Sequence, residues 1–70
     1  MVKIMKTFYD IQQLLKQYGM IVYTGTRLGD LELMEGEIQE LYDMKILEKE
    51  DYLVARMIIR NEISKEMDKT

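Results

Sequence analysis

A chain of 70 residues with 47% hydrophobic and 33% charged side chains and no proline is too apolar to stay disordered. It is also too often interrupted by charge to cross a membrane, and too short for two cores. The absence of cysteine and histidine excludes disulfides and thiolate-imidazole zinc sites as staples, and removes the commonest general base and the most nucleophilic side chain. One domain over residues 1–70 is expected, with a net stability on the order of a few kcal/mol, for which self-association is a natural complement. The lack of cysteine fits a reducing compartment, and no apolar run of the kind a secretory signal needs follows Lys3 and Lys6. These features lead us to expect a cytoplasmic protein.

The first organised segment opens at Thr7, whose hydroxyl suits a helix cap, with Asp10 three residues on at the positive helix end. Phe8, Ile11, Leu14, Leu15 and Tyr18 then recur at helical spacing until Gly19 offers the left-handed conformation that ends a helix, so the first helix is expected over 8–18. Met20-Ile21-Val22-Tyr23, between Gly19 and Thr24-Gly25-Thr26, is too short for a helix and reads as an extended connector. Its backbone groups need partners or water, so it either lies across the bundle or pairs with a second copy; the first arrangement is favoured.

The second helix is expected over 27–44 with Thr26 as its cap and Leu28, Leu31, Met34, Ile38, Leu41 and Tyr42 as its apolar row. Gly29 and Gly36 each cost such a helix about 1 kcal/mol, so it relies on packing more than on propensity. Met44-Lys45-Ile46-Leu47 breaks the period, and Glu48, Glu50 and Asp51 put acids at the start of a third helix over 49–66. Tyr52, Leu53, Ala55, Ile58, Ile59 and Ile63, widened by Val54 and Met57, make a face broader than one neighbour requires. The fold class is therefore all-α: a small three-helix bundle with an extended connector between helices one and two.

Charge is unevenly placed. Residues 1–29 carry four basic and one acidic residue (net +3), 30–51 two basic and nine acidic (net −7), and 52–70 four basic and three acidic (net +1). Helix two is expected to turn Glu32, Glu35, Glu37, Glu40 and Asp43 outward, a solvated face that repels phosphate. Neither a calcium loop nor a phosphate-cradling glycine loop is present, and the Glu32 and Glu35 pair alone does not make a metal site. No catalytic residue, cofactor, metal or small-molecule substrate is implied.

Two sets of residues remain as candidates for binding. Lys16, Tyr18, Tyr23 and Arg27 mix aromatic and basic character around the connector, and Arg56 and Arg60 stand one helical turn apart, the residue types that stack and neutralise single-stranded nucleic acid. The overall acidity runs against that use, and Arg56 and Arg60 equally suit ion pairs with Glu37, Glu40 or Asp43 across the bundle. Leu53, Val54, Met57 and Ile58 form the second set, an apolar stripe suited to a protein partner or a homodimer.

The runs T-F-Y-D-I-Q-Q-L-L-K-Q-Y-G at 7–19, I-V-Y-T-G, L-E-L-M-E and I-Q-E-L-Y-D resemble those of the YqgQ-like family of small bacterial proteins, over about residues 7–63. The resemblance implies a three-helix fold and brings no established activity or catalytic residues; shape comparison has led to the family being proposed as a single-stranded nucleic-acid binder. The stretch Tyr23 to Arg27 fits the family pattern, with Thr26 where relatives often carry aspartate and Gly29 where a better helix former is expected. The function expected here is an interaction or regulatory module without catalysis, with single-stranded nucleic-acid binding as the alternative.

Overall fold

The computed structural model describes residues 7–68, which form three helices: α1 (Phe8–Gln17), α2 (Arg27–Asp43) and α3 (Lys49–Met67). Lys3 and Lys6 lie outside the described residues. Each helix boundary falls within one residue of the expected position: Tyr18 and Met44 are caps, outside the helices they follow, and α3 runs one residue longer. Among the described residues there is no strand, and no helix is long and apolar enough to cross a membrane.

The helix ends form for the local reasons legible in the sequence. Asp10 N–H donates to Thr7 Oγ1 at 3.3 Å while Thr7 N–H donates to Asp10 Oδ2 at 3.1 Å, a reciprocal capping box. At the other end of α1, Gly19 has φ +74°, Met20 N–H donates to Leu15 O and Gly19 N–H to Lys16 O, the paired bonds of a Schellman stop. The end of α2 repeats this geometry, with Ile46 N–H on Leu41 O and Lys45 N–H on Tyr42 O. Lys45 occupies the left-handed position at φ 63°, where glycine is usual.

The turn at residues 44–48 folds α3 back antiparallel to α2. Packed side by side, the two helices stack the Tyr42 and Tyr52 rings at 4.5 Å and bring Arg60 to Glu35. The direction of α1 follows from its two ends: Phe8 lies beside Arg27 at the start of α2, and Leu15 shares a groove with Met34 further along. It therefore runs in the same sense as α2. Returning the chain to the start of α2 takes a segment as long as α1 itself, roughly 15 Å, which an extended connector supplies and a tight turn does not.

Ile11, Leu15, Leu31, Met34, Ile38, Leu41, Ala55, Ile59 and Ile63 are buried between the helices, and Leu47 closes the turn end of the core. Leu47 came from the segment read only as a break in period. Met20 and Val22 of the connector pack on this core while Ile21 and Tyr23 face solvent, so the connector lies across the bundle as expected. Leu28 of the expected α2 row is exposed, and Tyr18 of the α1 row has left the core. Both stand at the ends of their helices.

Candidate interaction surfaces

The segment Tyr23 to Arg27 is organised as a lock on the start of α2. Thr24 N–H and its hydroxyl both donate to Asp30 Oδ1, at 2.6 and 2.9 Å, and Thr26 Oγ1 accepts from Gly29 N–H at 3.0 Å. Gly29 is what admits the two threonines: a Cβ there would lie 2.7 Å from Thr26 Oγ1 and closer still to Thr24 Oγ1. The glycine that looked like a poor helix former is required by this close approach.

Arg27 ties three helices together. Its Nη2 donates to Glu62 Oε1 of α3 at 3.0 Å, and its guanidinium lies 4.7 Å from the centroid of the Phe8 ring of α1. Lys65 Nζ also reaches Glu62, at 3.2 Å. The Lys65 hydrogen bond, aided by Arg27 and opposed by partial burial, holds the Glu62 carboxyl below its ordinary value of 4.5. A depressed carboxyl contributes stability that is present above the unfolded-state pKa and lost as pH falls through the folded one. Urea midpoints measured below pH 4.5 are expected to fall less steeply in Glu62→Gln than in the parent; identical slopes would remove Glu62 from the acid response.

Arg60 Nε lies 2.9 Å from Glu35 Oε2. The contact is ionic and off the hydrogen-bond direction, since this buried oxygen accepts no hydrogen bond. Glu35 is thus turned toward α3 and half-buried; Glu37 is half-buried as well, where both were expected outward with Glu32, Glu40 and Asp43. The expected partners Glu37, Glu40 and Asp43 are replaced by Glu35, which the packing of α3 on α2 sets beside residue 60; Asp43 instead accepts from Gln39 Nε2. Arg56 is exposed with no ion pair among the described residues.

Of the basic and aromatic candidates, the structure brings Lys16 beside the connector, where Tyr18 and Tyr23 are 46% and 81% exposed. Arg27 and Arg60 are committed to glutamates elsewhere. The groove at the connector has a volume of about 290 Å³ and is lined by Gln12, Leu15, Lys16, Met20, Ile21, Val22 and Met34. Nothing in the sequence marked Gln12 or Met34 as part of it, because they come from different helices. Of the apolar candidates, Leu53, Val54 and Met57 are exposed on the side of α3 opposite Ala55 and Ile59, whereas Ile58 is half-buried against the core.

The YqgQ-like family model matches residues 5–65. The uncharacterized protein YqgQ of Bacillus subtilis (strain 168) is 48% identical to the chain over 59 residues, which cover 84% of this chain and 83% of that protein.

Proposed function

The chain belongs to the YqgQ-like family, and from that premise we propose a non-catalytic interaction module whose α3 face docks a second copy of itself. The observation that carries this reading is the strip Leu53, Val54 and Met57, 48%, 36% and 59% exposed, facing away from the core. A strip of three side chains is small, and a two-fold axis uses each of them twice: in antiparallel pairing about position 55, Leu53 lies on the partner's Met57. A core of this size also leaves a margin that dimerisation would widen. Sedimentation at tens of micromolar is expected to show twice the 8.4 kDa chain mass, and Met57→Glu to return the single mass. A parent protein that sediments only as the single chain overturns the dimer.

Single-stranded nucleic-acid binding is the second reading, favoured by Lys16, which has no ion pair among the described residues, beside the exposed Tyr18 and Tyr23 rings. Salt separates the two: phosphate contacts weaken steeply as salt rises, while apolar docking holds. Saturable, salt-sensitive oligonucleotide anisotropy that is lost in Tyr23→Ala would move the assignment to this reading. Arg27→Glu is the wrong variant for that purpose, since it sets an acid against Glu62 and strips Phe8 of its cation.

A further inference from the structure

Backbone amides and carbonyls in a folded chain find partners in ladders, caps or water. The connector is held at both ends: Met20 N–H donates to Leu15 O and Thr24 N–H to Asp30 Oδ1. Between these points Ile21, Val22 and Tyr23 form no hydrogen bond among the described residues, although their side chains alternate as in a strand, with Val22 toward the core and Ile21 and Tyr23 outward. In such an alternation the backbone groups of Ile21 and Tyr23 share the edge opposite Met20 and Thr24, and they have no partner among the described residues, directly beside the groove floored by Leu15 and Met34.

We propose that this connector is a strand-addition edge for an extended peptide from a partner protein, with an apolar side chain seated in the groove and an acidic side chain at Lys16. Main-chain pairing along Ile21 to Tyr23 supplies register, and the groove supplies preference for the anchor. About 290 Å³ lies at the bottom of the range for small-molecule sites and suits one or two side chains. Lys16, exposed at the rim and without an ion pair among the described residues, selects an acid. A second copy of the connector is a poor occupant, because Gly19 to Arg27 contains no acidic residue to meet Lys16. A phosphate backbone would use Lys16 but leave the row of amides and carbonyls unmatched.

The test titrates isotope-labelled Met57→Glu protein, a background without the α3 strip, with a pool of acetylated hexapeptides alternating Asp or Glu with Val, Ile, Leu or Tyr. Amide resonances of Ile21, Val22 and Tyr23 are expected to shift saturably and their exchange with solvent to slow. Methylating alternate peptide nitrogens is expected to weaken binding by about tenfold or more, and Lys16→Glu to weaken it in a salt-dependent way. Three results overturn the proposal: unchanged resonances at millimolar peptide, equal binding of the methylated pool, or the same resonances moved by single-stranded RNA and not by peptide.

Discussion

Leu31→Ala is expected to leave the protein largely unfolded at room temperature, while Leu33→Ala two positions away leaves it folded. Both leucines sit on α2 with the same chemistry and propensity; Leu31 is fully buried among all three helices and Leu33 is 39% exposed. Truncating a fully buried leucine costs about 2–5 kcal/mol, comparable with the entire stability of a domain of this size. The partly exposed leucine forfeits at most about 1 kcal/mol of burial. Far-ultraviolet circular dichroism with urea titration reads both. Equal effects would mean that α2 is rotated from the orientation described.

The two glycines of α2 are expected to respond to alanine with opposite sign. At Gly36 an added Cβ meets open space, so Gly36→Ala gains helix propensity of up to about 1 kcal/mol, a rise in melting temperature of roughly 4–8 °C. At Gly29 the same methyl collides with the hydroxyls of Thr24 and Thr26. Those hydroxyls cannot swing aside freely, because one is bound to Asp30 and the other caps the Gly29 amide itself. The clash and the weakened cap outweigh the propensity gain, for a net loss of about 1–3 kcal/mol. Removing the nearer hydroxyl relieves part of this, so Thr24→Ala with Gly29→Ala is expected to cost less than the two changes added. Stabilisation by Gly29→Ala would show that the two threonines do not hold this turn.

Much of this was legible residue by residue. Thr7 with Asp10, Gly19 and Thr26 act within a few residues of chain, so their roles follow from backbone chemistry alone. The acids Glu35 and Glu37 were read as outward because a single helix does not reveal which flank its neighbour covers. Counting equally outward from the turn at 44–48 pairs Arg60 with residue 32, so its contact with Glu35 reflects how the two helices pack and not their spacing from the turn. Nor did spacing mark Arg27, whose ties to Phe8 and Glu62 depend on where α1 lies.

Composition and helical spacing by themselves determined three helices, their ends, the extended connector and most of the buried set, because hydrophobic periodicity and caps are local properties of the chain. Only the tertiary structure decided that α1 runs alongside α2, that Arg27 and Arg60 are held by glutamates, that Gly29 is required, and that Leu53, Val54 and Met57 face away from the core. Each of these depends on which elements meet across the fold, a relation between residues distant in sequence that periodicity along one helix does not carry.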